Sequence, residues 1–401
     1  MSRWFYARCC AFVLLGLACA FGKQAQSAEV FASVFAFGPP GMDDPKPLLT
    51  GVIKIDLDTG LATPFIPEGT GNIFVLSDVA VGPHDGLLYV STQLGTIERF
   101  DADTGAHLGN FAFFPGALGS DGVNTMRFAD DGTLYVGTGG GVLAEFNPAG
   151  VRQPDVATGL DFPSGIAIDP SGDLFVTLGG AGAPGEVVRI GPGGTTGVVP
   201  LGAIGGASGV SYLPANGIGD FNTDGIADAS DYALWSSEFG TSALPTDANG
   251  DGTVDAADYT LWRDNLGNEA RLVVPDLFGD RLHEHGLVSG ADSTLTTIPI
   301  PIPNPLPEGG IPSNSPSEVI LTDEGTLLVS TLGPTQRPLN SGALLEFDLE
   351  GNLLSTIQTD LPPLSGIALV PEVGILFTVP EPCSLACLCF SLFFGSLGRR
   401  L

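Results

Sequence analysis

The sequence predicts a mainly β protein, a six-bladed β-propeller interrupted by one small α-helical insert. Three observations predict this fold. A hairpin pattern of two apolar strands around a tight turn recurs six times, one copy is split by residues of different character, and the composition suits short strands. Of 401 residues, 57 are Gly and 32 are Pro, and only 15% are charged, whereas helix bundles need charged outer faces.

The six hairpin copies predict the number of blades. In intact copies such as Val79–Val90 and Met126–Val136, an Asp-Gly or Ser-Gly pair supplies the positive φ that tight hairpins require. Once the insert is removed, the copies start 40 to 57 residues apart, which is a blade-like period. The repeats resemble those of NHL-type and related six-bladed propellers, and seven blades or an open array are the alternatives. The copies begin at Val79, Met126, Ile166, Val210, Val319 and Ile367.

The two ends of the repeat region predict how the ring closes. The last copy, Ile367–Phe377, lacks outer strands, whereas Val30–Phe37 and Val52–Asp56 resemble outer strands without a hairpin before them. We therefore expect the N-terminal strands to complete the last blade. The fourth copy reaches its turn at Gly217 and resumes at Arg271, so the insert sits in a hairpin tip, where it disturbs the sheet least. The predicted propeller segments are 29–217 and 270–378, and the insert is 218–269.

The insert contains two loops whose oxygen-bearing side chains share one register, 27 residues apart. Calcium is a hard cation that takes six to eight oxygen ligands, and alternate loop positions direct such groups toward one centre. Glycine at position 6 allows the sharp turn, and position 7 offers its main-chain carbonyl. The sequence therefore predicts two bound Ca²⁺ ions. The first would be held by Asp220, Asn222, Asp224, Ile226, Asp228 and Asp231, and the second by Asp247, Asn249, Asp251, Thr253, Asp255 and Asp258.

Each loop is closed by Asp and followed by Tyr-x-Leu-Trp, and Pro214 with the nearby glycines precludes a long helix before the first loop. Over residues 217–267 this duplicated arrangement resembles a type I dockerin. The resemblance implies calcium-dependent docking to a cohesin-like partner, often in polysaccharide-handling assemblies. It also implies that position 8 pairs the two loops and that positions 10 and 11 contact the partner. Positions 10 and 11 are Ala229-Ser230 and Ala256-Ala257, which carry only one hydroxyl for the usual contact with a cohesin. The alternatives are therefore a different protein partner or an insert that braces the propeller.

Both ends of the chain resemble targeting signals. Residues 1–28 carry Arg3 and Arg8, an apolar stretch and small residues, which is typical of a signal peptide. Residues 379–401 begin with Val-Pro-Glu-Pro, continue with an uncharged run and end with Arg-Arg-Leu, which resembles a PEP-CTERM sorting signal. That resemblance implies an exported, cell-surface or extracellular-matrix protein with a transient membrane segment cut by an exosortase; a plain transmembrane anchor is the alternative. All six cysteines lie near the ends, so residues 20–382 form no disulfide.

The remaining sequence favours recognition over catalysis. A formal charge of −30 makes nucleic acid an unlikely partner, since phosphate backbones are repelled. The segment Leu282-His283-Glu284-His285 lacks the spacing of a helical zinc motif, and Asp78 and Glu318 are isolated acids beside the central channel. We expect a non-catalytic surface protein that uses calcium-dependent protein interaction and a recognition propeller linked to extracellular polysaccharide. The alternative is a propeller-type hydrolase or lyase acting on extracellular carbohydrate.

Overall fold

The repeats fold as six four-stranded antiparallel sheets, the blades. The computed structural model describes residues 28–370 except 35–49, 115–121, 180–184, 193, 195, 203, 243–244, 300–313 and 334–341. The first twelve strands are β1 (Glu29–Val34), β2 (Val52–Asp56), β3 (Ala62–Ile66), β4 (Leu76–Val81), β5 (Leu88–Thr92), β6 (Thr96–Phe100), β7 (His107–Phe113), β8 (Val123–Phe128), β9 (Leu134–Thr138), β10 (Val142–Phe146), β11 (Ala157–Thr158) and β12 (Pro163–Ile168). The next twelve are β13 (Leu174–Leu178), β14 (Glu186–Ile190), β15 (Thr196–Val199), β16 (Ser211–Leu213), β17 (Arg271–Asp276), β18 (Arg281–Gly286), β19 (Asp292–Thr297), β20 (Pro316–Leu321), β21 (Leu327–Thr331), β22 (Gly342–Phe347), β23 (Leu353–Leu361) and β24 (Leu364–Leu369).

The blades follow one another around a closed ring. Blades one to five are β4–β7, β8–β11, β12–β15, β16–β19 and β20–β23, and blade six combines β24 with β1, β2 and β3. The innermost strand of each blade, β4, β8, β12, β16, β20 or β24, contacts the innermost strands on both sides. The predicted six-bladed propeller is therefore confirmed, and the described strands form neither seven blades nor an open array.

Blade six closes the ring in the predicted way, with one correction. β1 pairs antiparallel with β24, placing Val30 opposite Leu369 and Ala32 opposite Ile367. β1 thus occupies the place that we predicted for the second strand of the last hairpin copy. From β1 the sheet of blade six continues outward through β2 and β3. Residues 371–377 of the predicted hairpin lie outside the described residues.

The fourth hairpin is split as predicted. β16 pairs antiparallel with β17, with Ser211 opposite Val273 and Leu213 opposite Arg271. The insert between them contains two helices, α1 (Ala229–Glu238) and α2 (Ala256–Asp264). An insertion at this hairpin tip leaves the ladder hydrogen bonds of blade four in place, which explains why the propeller accommodates it.

Six apolar clusters hold the ring together, one at each interface between adjacent blades. Successive side chains of a strand point to opposite faces, so a strand inside the ring must be apolar on both. β1 illustrates this rule. Phe31 packs toward blade one, while Val30 and Ala32 pack toward blade five, and all three are fully buried.

A ring of side-chain hydrogen bonds adds to this packing at one end of the inner strands. Near the start of each inner strand, a Ser or Asn side chain donates to a main-chain carbonyl of the next blade. This contact is made at five consecutive interfaces: Ser77 to Val123, Asn124 to Pro163, Ser164 to Ala207, Ser208 to Pro316 and Ser317 to Leu364. Because each bond joins two blades, the five together fix their spacing around the central cavity.

Candidate functional site

The insert builds two nearly identical loop-and-helix halves. Asp228 lies at the N-cap of α1 and accepts a hydrogen bond from the Ser230 main-chain N–H at 2.6 Å. The side chain of Asp231 in turn accepts from the Asp228 N–H at 2.7 Å, completing a capping box. Asp255, Ala257 and Asp258 repeat this arrangement at α2. Aspartates at positions 9 and 12 therefore start each helix, as their placement at helix N-termini favours.

The first half of each loop wraps around the carboxylate at position 1. The Asp220 carboxylate accepts hydrogen bonds from the main-chain N–H groups of Asp224 at 3.1 Å and Gly225 at 2.9 Å. The side-chain amide oxygen of Asn222 accepts from the same Asp224 N–H at 2.9 Å. Gly225 has φ +98°, a left-handed conformation that glycine adopts without a steric penalty. The second loop repeats each of these contacts at Asp247, Asn249, Asp251 and Gly252.

The aspartate at position 12 is the buried centre of each loop. Asp231 is 0% exposed and accepts from the N–H groups of Phe221 at 2.8 Å and Asn222 at 3.0 Å, besides that of Asp228. Asp258 is also 0% exposed. A carboxylate has about four acceptor sites, so three N–H bonds leave Asp231 roughly one for a cation. This residue therefore organises the loop even where it contributes little to coordination.

The donor set of each loop fits calcium in its chemistry. Four carboxylates, one amide oxygen and the main-chain carbonyl of position 7 are hard oxygen donors of the kind that calcium takes. No group of three or more His, Cys, Asp or Glu side chains placed to hold a metal occurs among the described residues. What the loops offer calcium is a mixed set of carboxylate, amide and main-chain carbonyl oxygens. The twelve predicted ligands remain a prediction.

The two halves are interlocked by contacts that the sequence did not predict. The Trp235 indole N–H donates to the Asp255 carbonyl at 3.0 Å, and the Trp262 indole N–H donates to the Asp228 carbonyl at 2.8 Å. Each tryptophan thus holds the N-cap of the other half. The four rings of Tyr232, Trp235, Tyr259 and Trp262 pack together, with centroids 5.2–6.1 Å apart in the five closest pairs.

Position 8 of each loop pairs differently from the arrangement that the dockerin resemblance implied. Ala227 exchanges main-chain hydrogen bonds with Gly267 and Asn268, which follow α2. Val254 does the same with Gly240 and Thr241, which follow α1. Each loop therefore pairs through its main chain with the segment after the other half's helix. Both position-8 side chains are fully buried, so the small Ala227 fits as well as Val254.

A second candidate site is the central cavity between the inner strands, about 210 Å³ in volume. Its charged lining residues are Asp78 of blade one, Arg127 of blade two and Glu318 of blade five. Asp78 accepts from the main-chain N–H groups of Val79 at 2.8 Å and Met126 at 2.7 Å. One Arg127 nitrogen lies 3.9 Å from the Glu318 carboxylate, while its Nε donates to Ile166 at 3.1 Å.

Burial changes the protonation of both cavity acids. Desolvation raises the pKa of Asp78 to about 7, although its two main-chain hydrogen bonds favour the carboxylate. Desolvation, followed by the nearby charge of Asp78, raises the pKa of Glu318 to about 8, with Arg127 opposing this rise. The neighbouring blades provide the space: a Cβ on Gly366 of blade six would lie 2.2 Å from an Asp78 oxygen, and one on Gly209 of blade four would lie 3.0 Å from Glu318. The sequence predicted that both acids lie beside the channel, but it did not predict that the charge of Asp78 raises the pKa of Glu318.

The four histidines lie away from this cavity. His107 contacts Glu98 at 2.9 Å, His285 contacts Asp292 at 2.6 Å, and His283 lies 3.7 Å from Asp276. The first two have polar partners on neighbouring strands of their own blades, and His283 faces an aspartate of its own blade.

The predicted targeting signals cannot be placed on the fold. The signal-peptide segment 1–28 lies outside the described residues apart from Ala28, and so does the sorting-signal segment 379–401. In the part of the chain that is described, no helix is long and apolar enough to cross a membrane.

Comparison with known proteins supports the fold alone. No protein-family model and no curated protein matches the chain. A solved nidogen/laminin complex contains a chain that is 12% identical with a TM-score of 0.54, covering 86% of this chain and 99% of that one. A Bacteroides caccae protein of unknown function is 14% identical with a TM-score of 0.49, covering 86% and 100%. A protein named provisionally as a gluconolactonase is 15% identical with a TM-score of 0.41, covering 71% and 82%.

Proposed function

We propose that this protein is an exported surface protein whose insert binds two calcium ions and docks to a protein partner, while the propeller recognises an extracellular ligand. One observation carries the proposal: eight hydrogen bonds of the first loop recur at the equivalent residues of the second. Solvated acidic turns have no reason to repeat such a pattern, whereas two equivalent cation loops require it.

The charge of the insert also supports a calcium role. Eleven acidic residues and one arginine lie between positions 218 and 269. Packing them around two helices raises their mutual repulsion, which bound divalent cations would relieve. The exposed first turns of α1 and α2, Ala229-Ser230 and Ala256-Ala257, are the surfaces offered to a cohesin-like or other protein partner.

Calcium titration of the full chain by calorimetry tests this proposal. We expect two ions for the wild type and one each for Asp220→Ala and Asp247→Ala. Asp264→Ala is the matched control, because this acid lies outside both loops and pairs with Arg263 at the surface. Absence of binding at millimolar calcium would refute the calcium role. Binding of a recombinant type I cohesin in calcium, abolished by EDTA, would identify the partner class.

Export and sorting are tested on the intact cell. We expect the mature protein to begin near residue 29 and to lose its C-terminal segment beyond Pro380. Mass spectrometry of the protein recovered from the cell surface determines both ends. Retention of residues 383–398 in the surface form would instead support the plain membrane anchor.

A second candidate function is acid–base catalysis in the central cavity, as in a hydrolase or lyase acting on extracellular carbohydrate. The observation that favours it is the pair of buried carboxyl groups with raised pKa values facing one cavity. Glu318 would act as the general acid, since it is protonated near neutral pH. Release of reducing ends from extracellular polysaccharide should then disappear in Glu318→Gln, and it should decline above about pH 8 in the wild type.

A further inference from the structure

The two loops differ in what surrounds them, although their internal contacts match. A Cβ added at Gly225 of the first loop would lie 3.4 Å from the Val288 side chain of blade four. A Cβ added at the equivalent Gly252 would meet nothing within 4 Å, and the same holds for Gly250 of the same loop. The first loop is therefore packed against the propeller, and this face of the second loop is open.

A main-chain connection runs from the first loop into blade four. Ile226 at position 7 forms an isolated antiparallel bridge with Glu269, the last residue of the insert. The residues that follow Glu269 then pair with the end of β18. The Leu287 N–H donates to the Ala270 carbonyl at 2.9 Å, and Arg271 lies opposite Gly286. The residue whose carbonyl is offered to calcium is thus paired to the strand that enters the blade.

The Glu269 side chain clamps the turn between β18 and β19. It is 8% exposed, and one of its oxygens accepts from the N–H groups of Val288 at 2.7 Å and Ser289 at 2.8 Å. Its other oxygen accepts from the Ser289 hydroxyl. Three donors on a buried carboxylate make this a strong, geometrically demanding contact. The main chain of the same residue is bridged to Ile226, so the first loop and the clamp meet at Glu269.

We infer that the two calcium loops have different roles: the first couples cation binding to the order of blade four through Glu269, and the second acts only within the insert. The inference rests on the proposed calcium function. By linkage, a cation that holds Ile226 in place stabilises the Glu269 clamp, and the clamp strengthens binding in the first loop by the same factor. Calcium would thereby fix the orientation of the insert on the propeller.

Hydrogen exchange on the full chain tests this assignment with a matched pair of variants. We expect calcium to slow exchange of the Val288 and Ser289 amides about tenfold in the wild type and in Asp247→Ala, corresponding to about 1.4 kcal/mol. In Asp220→Ala the same amides should respond less than about twofold. Equal responses in the two variants would overturn the inference.

A second measurement does not depend on either loop variant folding. Glu269→Gln keeps the size of the side chain but loses the charged acceptor, so calorimetry should show one of the two sites weakened about tenfold and the other unchanged. Two unchanged sites would overturn the coupling while leaving the calcium function intact. No calcium binding by the wild type would overturn the calcium function itself, so the two failures are distinguishable.

Discussion

Glu318 gives the protein a stability that falls as pH rises, and Glu318→Gln should remove that dependence. The folded state holds a proton on this carboxyl up to about pH 8, whereas its ordinary pKa is 4.5. An acid whose pKa is raised by folding contributes stability that is present below the unfolded pKa and is lost as pH rises through the folded pKa. Glutamine resembles the protonated acid, so the variant keeps this contribution at every pH.

The magnitude follows from the number of protons involved. With one proton more on the folded than on the unfolded chain, stability falls by about 1.4 kcal/mol per pH unit. Between about pH 5 and 8 the wild type should therefore lose roughly 3–4 kcal/mol relative to Glu318→Gln. Titrating groups outside the cavity, including the acids of the insert, are common to both proteins and cancel in the difference. Asp78 lies beside a neutral side chain in both proteins as long as Glu318 keeps its proton.

Urea unfolding followed by far-ultraviolet circular dichroism measures this difference at a series of pH values in excess calcium. We expect the two proteins to be similar near pH 5 and the variant to be more stable near pH 8. A difference that does not change with pH would refute the assignment of the extra proton to Glu318. A wild type that gains stability over this range relative to the variant would show that Arg127 overcomes the cost of burial.

Three further changes test the packing around the two sites. Ser317→Ala removes a hydroxyl that donates to blade six and should lower the free energy of unfolding by about 1 kcal/mol in urea, whereas the surface substitution Ser171→Ala should not. Gly366→Ala places a Cβ 2.2 Å from Asp78 and should cost about 1–3 kcal/mol, read as a lower Tm. Trp262→Phe loses the indole hydrogen bond and should destabilise the insert by about 1 kcal/mol, while leaving propeller unfolding unchanged. Fluorescence of Trp235 reports that change in a Trp4→Phe background, since the chain has three tryptophans.

The fold could be predicted because its signals are local and repeated. Each Asp-Gly or Ser-Gly turn fixes a hairpin within about a dozen residues, and Gly132 and Gly325 have the positive φ that the pattern required. Closure by the N-terminus followed from counting strands, since Val30–Phe37 had no hairpin of its own. The split of blade four followed because the apolar pattern stops at Gly217 and resumes at Arg271.

The contacts between distant segments could not be predicted in the same way. Asp78 and Glu318 belong to blades one and five, and only closure of the ring brings them to one cavity with coupled charges. In the insert, the spacing predicted two loops, but the exchange of partners at Ala227 and Val254 depends on how the halves cross. Nothing in the sequence predicted the contact of Glu269 with the β18–β19 turn, because a single glutamate at the end of the insert does not show which turn its side chain reaches.

The two candidate sites use different strands of the propeller, so each can work without obstructing the other. The cavity is lined by residues of the inner strands, and a Cβ added at Gly209, just before β16, would lie 3.0 Å from Glu318. The chain then passes through β16 and enters the insert only after Leu213, at a rise of about 3.3 Å per residue. The Glu269 clamp engages the β18–β19 turn, which lies at that same far end. Calcium coupling through the first loop should therefore order the outer part of blade four and leave the pH dependence set by Glu318 unchanged, and a calcium-dependent shift in that dependence would show that the blade transmits the signal along its whole length.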